Sequence, residues 1–392
     1  MRAMLLAGAV LMIASATGTA ADPPRNAALY YWQAFGTMPH FGGLGDHIST
    51  KQKRVQEEWE TAPLDEVTEA ALKDYSASFA YLHRGAACPD CVWASAYDTT
   101  RDGIGNLVPH LGKHWQLRSA VLLRARWRFA HGQPDKAVDD LVALVRFGRH
   151  LERGSTLIGV LNSAGIERSV SAVLGANLWA VLANQQTLAA TWAKLEKLPA
   201  ARPMTEALTE EKDGLVGMFR HHAGVDAANP PDDELNPLGF FPTVKFVIGL
   251  ETREQAVETL CRTLDRHYTR FIRATDLPPD QVLAAEKRFF DNWPRNTLFD
   301  DPLAAIVVRQ LFPGVGKLRL TEAEMKSRRA MLRAALAVAD TGADALAKHP
   351  DPSTGKPFGF KRFEGGFELS SGVGDLIGRP VVLTVRTAKP AG

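Results

Sequence analysis

Apolar residues recur along most of this chain at a spacing near 3.6, and β-branched alternation is scarce before residue 355, so the pattern predicts a mainly α fold. Asn26 precedes an aromatic run, Ala27 to Phe35, which reads as a short capped helix whose Tyr30, Tyr31, Trp32 and Phe35 anchor the N-terminus to the core. Leu64, Val67, Ala71, Tyr75, Phe79 and Leu82 share one face of an amphipathic helix expected from Leu64 to His83. Trp115 to His131, a Gly132-Gln133 turn and Pro134 to Glu152 make an antiparallel helical hairpin, with Pro134 in the first turn of its second helix. Ala125, Gly132, Ala137 and Leu141 fall at spacings similar to a tetratricopeptide repeat, but no second copy follows about 34 residues onward. The expected architecture is therefore stacked antiparallel helical hairpins, TPR-like in part. Further helices are expected at about Ser155 to Asn184, Thr187 to Leu198, Met204 to Ala223, Val244 to Ala274, Pro279 to Asn292 and Glu322 to Lys348. The last is entered through a capping box, Thr321 to Glu324. From Lys356 to Ser370 the pattern alternates around a turn at Glu364-Gly365-Gly366, which predicts a small C-terminal β-hairpin, and Val381 to Val385 offers a third strand.

The N-terminus has a different pattern. Arg2, an apolar run from Ala3 to Ala16 and small residues at Gly18 and Ala20 stand in the order a signal peptidase reads, with cleavage expected after Ala20. The alternative is an uncleaved membrane anchor, against which the run is shorter than the about 20 residues a span requires. The chain thus divides into a signal peptide (1–20), an N-terminal helical domain (21–223), a linker (224–242) where Asn-Pro-Pro-Asp-Asp and Asn-Pro crowd together, and a C-terminal helical segment (243–392) ending in the β element. An apolar content of 45% is ample for a sizeable core. Thr156 to Leu182, the other long apolar stretch, is interrupted by Asn162, Glu167, Arg168 and Asn177 and reads as a buried helix, leaving no membrane span once the signal is removed. A periplasmic or secreted location follows.

Charge and motifs narrow the function. Forty-six Lys and Arg against 44 Asp and Glu give no global field to attract nucleic acid. There is no Gly-x-Ser-x-Gly elbow, Walker loop or Gly-x-Gly-x-x-Gly after a strand, so no catalytic residue and no cofactor is assigned. Glu57-Glu58 and Glu210-Glu211 are neighbours on helices, splayed about 100° apart and unsuited to acid and base work on one substrate. Cys88-Pro89-Asp90-Cys91 has the spacing of redox and zinc motifs without their βαβ setting or second ligand pair. In an oxidising compartment the expectation is a structural disulfide, with a redox or metal role and free thiols as the alternatives. His110 and His114, four apart, are metal candidates if one helix carries both, although no third ligand can be named. Arg124 and Arg128 line one helix of the hairpin and Arg146, Arg149 and Arg153 the other. These are anion-binding candidates, set against the alternative that Asp135, Asp139, Asp140 and Glu152 pair with them in a salt-bridged face.

Several blocks carry a resemblance: Asn26-Ala27-Ala28-Leu29-Tyr30-Tyr31-Trp32-Gln33-Ala34-Phe35; Cys91-Val92-Trp93; Asp102-Gly103-Ile104 with Leu107-Val108-Pro109-His110-Leu111; Leu122-Leu123-Arg124-Ala125-Arg126 with Asp139-Asp140-Leu141; and Asp351-Pro352 with Thr354-Gly355-Lys356-Pro357-Phe358 and Gly366-Phe367-Glu368-Leu369. Spread over most of the chain, they resemble a group of uncharacterised secreted helical proteins of planctomycete-type bacteria. The resemblance implies export and brings no functional residue. The C-terminal block is also similar to the close of some pseudopilins, but the long helix stands at the wrong end for a pilin. The expected function is a non-catalytic extracytoplasmic helical scaffold or binding protein that presents a groove to a protein or extracellular polymer. The alternative is a hydrolase acting on a cell-envelope or extracellular polymer.

Overall fold

In a computed structural model, which describes residues 25–39, 49–93, 109–154, 157–224, 253–291, 315–374 and 378–389, helices dominate and a small sheet closes the chain. The helices are α1 (Ala27–Gly36), α2 (Thr50–Gln56), α3 (Glu66–Asp74), α4 (Ser76–Ala87), α5 (Pro109–Ala130), α6 (Pro134–Leu151), α7 (Leu157–Ala176), α8 (Leu178–Leu182), α9 (Gln185–Glu196), α10 (Met204–Gly224), α11 (Arg253–Ala274), α12 (Pro279–Asp291) and α13 (Val315–Thr341). A 3-10 segment (Ala343–Lys348) then leads to β1 (Gly359–Phe363), β2 (Gly366–Gly374) and β3 (Pro380–Arg386). The expected signal peptide and almost all of the expected linker lie outside the described residues.

Asn26 caps α1 as expected, its Oδ1 accepting from the Ala28 N–H at 3.1 Å. The same side chain exchanges two hydrogen bonds with the backbone of Val92, at 2.8 and 2.9 Å, and so ties the N-terminus to the segment after α4. The α5–α6 hairpin forms around Gly132, whose φ of 70° admits glycine readily, while Gln133 N–H reaches back to Arg128 C=O and Pro134 opens α6.

Three expected helices are broken. Leu64 to His83 becomes α3 and α4, because the Tyr75 N–H bonds back to Leu72, three residues earlier, and its buried ring stacks on Phe79. The apolar period runs in phase through the break and conceals it. Ser155 to Asn184 ends at Ala176, where the Asn177 side-chain amide donates to Val173 C=O and the backbone tightens before α8. Glu322 to Lys348 is misplaced at both ends: α13 starts at Val315, and Gly342, with φ of 92°, separates it from the 3-10 segment. The predicted capping box therefore fails. Thr321 sits inside α13 and donates to Lys317 C=O, and Glu324 is committed to arginines.

One hydrophobic core includes Tyr31, Leu123, Phe147 and Val181 together with Met331, Leu336, Leu369 and Leu383, so the described residues on both sides of the expected linker share it. α10 packs on α11, and α13 on α7. The α7 helix has the length and apolarity of a membrane span, yet two thirds of that window is buried, against α6, α13 and β3. The sheet is an antiparallel meander in the order β1-β2-β3, with Leu369 opposite both Phe360 and Leu383. Its alternation turns Phe367, Leu369, Val381, Leu383 and Val385 inward onto α7 and α13.

The helix approaches the sheet closely at Gly175, where an added Cβ would stand 2.7 Å from the Thr384 carbonyl oxygen and 3.0 Å from Leu383 Cδ1. Gly175→Ala is expected to destabilise by about 1–3 kcal/mol, the overpacking cost outweighing the helix propensity that alanine adds. A urea midpoint equal to that of the parent chain would show that the sheet yields freely there.

Candidate functional site

The helical hairpin gathers cations around a single carboxylate. Asp140, on α6 and fully buried, accepts a two-pronged contact from Arg124 of α5, with Nε at 2.8 Å from one oxygen and Nη2 on the other. Arg128, one turn further along α5, donates to it at 2.7 Å and His83 of α4 at 2.8 Å. The Arg124 guanidinium also lies 3.5 Å above the Phe79 ring. Burial pulls this guanidinium down to about 10, Asp140 opposing the shift, so it stays charged near neutrality.

Beside this cluster opens a recess of about 390 Å3 between α4 and α6. Helix α4 contributes His83, Ala86 and Ala87, α5 contributes Arg128, and α6 contributes Lys136, Asp139, Val142, Ala143 and Arg146. Residues 136, 139, 143 and 146 share one face of α6 because three- and four-residue steps return to the same side of a helix. Asp139 is paired with Lys194 of α9 at 2.7 Å. Arg146 is half-buried and reaches the Ala86 carbonyl at 3.4 Å.

The remaining arginine candidates lie elsewhere. Arg149 is buried with Glu152 and Glu167: it donates to Glu152 and Ser163 at 2.6 and 2.8 Å and contacts Glu167, which also takes both prongs of Arg329 from α13. Burial raises Glu152, with Arg149 pulling against it. Arg153 is exposed, bonded to the Pro89 carbonyl and 3.6 Å from Asp90. Of the five arginine candidates, the recess takes Arg128 and Arg146 as lining, with Arg124 behind it, and excludes Arg149 and Arg153. His83 and Lys136, which face it, carry no sequence signal: each is a single basic residue on a helix.

The cysteines do not form the expected crosslink: the Cys88 and Cys91 sulfurs are not bonded to each other. The reason is local. Cys88 caps α4 with its sulfur 3.5 Å from the Arg84 carbonyl, while Cys91 turns into the core beside Trp93. Burial pushes Cys91 up to about 12 and also raises Cys88, so neither has the thiolate character a redox Cys-x-x-Cys pair uses. Cys261 is buried on α11, with its sulfur toward the Val216 carbonyl of α10.

Among the described residues no three His, Cys, Asp or Glu side chains stand close enough to hold a metal. His110 and His114 do share α5, but the His110 side chain lies outside the described residues and His114 is buried against Trp115. Glu211, whose carboxyl burial raises, is engaged by the Leu157 N–H at the start of α7 and by the Tyr268 hydroxyl. Glu258 pairs with Arg220 of α10. In the C-terminal half, buried Asp351 accepts from the Ser327 and Ser371 hydroxyls and from the Ser353 and Gly372 N–H groups, which fastens the turn before β1 to α13 and β2.

His150 supplies a pH dependence. Its Nδ1 lies 2.7 Å from the Tyr31 hydroxyl, its carbonyl accepts from Trp93 Nε1 at 2.6 Å, and burial, with Arg153 and Arg146 nearby, pulls the imidazole down to about 4. An unfolded histidine titrates near 6.5, so between about pH 6.5 and 4 the unfolded chain holds a proton that the folded one refuses. Stability therefore falls as pH drops through that window, by about 3 kcal/mol. Raised Glu152 and Glu211 act in the opposite sense at low pH, so the readout is the difference between parent and His150→Leu in urea midpoints at pH 7, 5.5 and 4.5. The parent should lose more; parallel losses would contradict the neutral imidazole.

No protein-family model, curated protein or solved structure matches the chain. What the fold and site define is a mainly helical protein with a cation-lined recess on its hairpin.

Proposed function

We propose that this chain is a non-catalytic extracytoplasmic scaffold that binds a protein or extracellular polymer through the face carrying the α4–α6 recess. The observation that carries the reading is the division of charge: the buried carboxylates Asp140, Glu152, Glu167 and Glu324 are consumed in internal ion pairs, whereas the recess leaves Lys136 and Arg146 turned to an open space. A concave recess with a few placed polar groups is the usual form of a binding site. Acid–base hydrolysis needs two carboxylates aimed at one substrate, and the recess is lined by one, Asp139, already held by Lys194. Export is supported by the N-terminal pattern and by the resemblance to secreted planctomycete-type proteins.

Expression of the full chain in a bacterial host tests both parts. The protein is expected in the periplasm or medium with Ala21 as its first residue, and it should co-sediment saturably with insoluble cell-envelope polymer without releasing soluble fragments. Retention of Met1 in the cytoplasm would overturn the location, and failure to sediment would overturn binding of the polymer. Steady release of fragments would establish the hydrolase instead.

A further inference from the structure

We infer that the α4–α6 recess is a binding site for the phosphate or sulfate group of a sugar-sized ester. This deepens the binding reading, on which it rests for its biological setting, by assigning the ligand's chemistry. The cations come from different walls: Arg128 from α5, and Lys136 and Arg146 from α6, with His83 at the α4 rim. A tetrahedral oxyanion presents oxygens in several directions and can take donors from several walls, whereas one guanidinium fork suffices for a planar carboxylate.

The electrostatics favour an anion. Asp140 is buried behind the wall and shared among Arg124, Arg128 and His83, and Asp139 is neutralised by Lys194, while Lys136 and Arg146 have no carboxylate partner among the described residues. Asp140 acts as a positioning residue: it holds Arg128, which also donates to the Lys136 carbonyl, against the mouth. The dimensions favour an ester over a bare ion. About 390 Å3 falls within the range of small-molecule sites, roughly 300–1,000 Å3, and Ala86, Ala87, Val142 and Ala143 give the carbon body an apolar wall.

The test is isothermal titration of the full-length exported protein with glucose 6-phosphate, glucose 6-sulfate, inorganic phosphate and glucose. At least one ester should bind at least tenfold more tightly than inorganic phosphate, glucose should not bind, and added salt should weaken the interaction. Arg146→Ala and Lys136→Ala should each lower ester affinity fivefold or more with unchanged urea midpoints, and Arg146→Lys should restore part of the loss. Inorganic phosphate binding as tightly as the esters would overturn the ester assignment. Absence of any anion binding, or parent-like affinity in the Lys136→Ala/Arg146→Ala double variant, would overturn the site. Polymer sedimentation that persists without ester binding would sink this inference alone; ester binding without sedimentation would sink the scaffold reading alone.

Discussion

Asp140→Ala should lower the stability of the protein by about 3–5 kcal/mol, the range expected when one partner of a buried ion pair is removed and the other is stranded. The reason is asymmetry: one buried carboxylate answers three basic groups, and Arg124, already pulled down by burial, has no other carboxylate among its contacts with the described residues. Asp140→Asn should recover part of the loss by accepting one hydrogen bond without supplying charge. The pairing of Arg124→Met with Asp140→Leu should cost less than Asp140→Ala, because replacing both partners by apolar groups removes the stranded charge. Urea unfolding of the four proteins decides the matter. A loss below about 1 kcal/mol for Asp140→Ala would mean that water reaches the guanidinium and screens it, as for exposed pairs.

The second large effect is expected at Glu167, which joins the two halves of the chain. Its carboxylate takes the fork of Arg329, 162 residues away on α13, and the Arg149 guanidinium from α6; Glu167 and Arg149 are buried, and the Arg329 side chain is 34% exposed. Glu167→Ala leaves Arg329 without its carboxylate and Arg149 with Glu152 alone, so about 3 kcal/mol is expected. By contrast Arg168→Ala, which breaks the neighbouring contact to Glu324, should cost under about 1 kcal/mol, because the Arg168 side chain is 46% exposed and Arg328 still serves Glu324. Equal losses at the two sites would refute the ranking by burial. Unfolding followed separately by tryptophan fluorescence and circular dichroism should coincide in the parent and diverge in Glu167→Ala, since the contact between α7 and α13 is what it weakens.

Local features of the sequence predict much of this fold. The Asn26 cap, the Gly132–Pro134 turn and the β-hairpin at Glu364-Gly365-Gly366 each depend on a few adjacent residues, and each stands where the pattern places it. Phase is what misleads. Tyr75 continues the apolar spacing while its backbone bends, Asn177 is one polar residue among several in a stretch that reads as continuous helix, and a Thr-x-x-Glu run imitates a helix start inside α13. The site divides in the same way. Asp140 meets Arg124 and Arg128 within one hairpin, so that pairing is open to inspection of adjacent helices, whereas Glu167 with Arg329 and His83 with Asp140 depend on tertiary packing. Cys-x-x-Cys spacing brings two thiols near each other, but burial of Cys91 in the core is a property of the surrounding aromatic residues.

The fastening of α1 bears on how the chain is made. Tyr31 packs on Phe147 and bonds to His150, 119 residues later, and Asn26 bonds to Val92, 66 residues later. At synthesis rates of about 5–20 residues per second, α1 waits roughly 6–24 s for Phe147 and His150 to follow. The aromatic face of α1 is thus open while the next 119 residues are made, a surface that a holding chaperone would have reason to occupy.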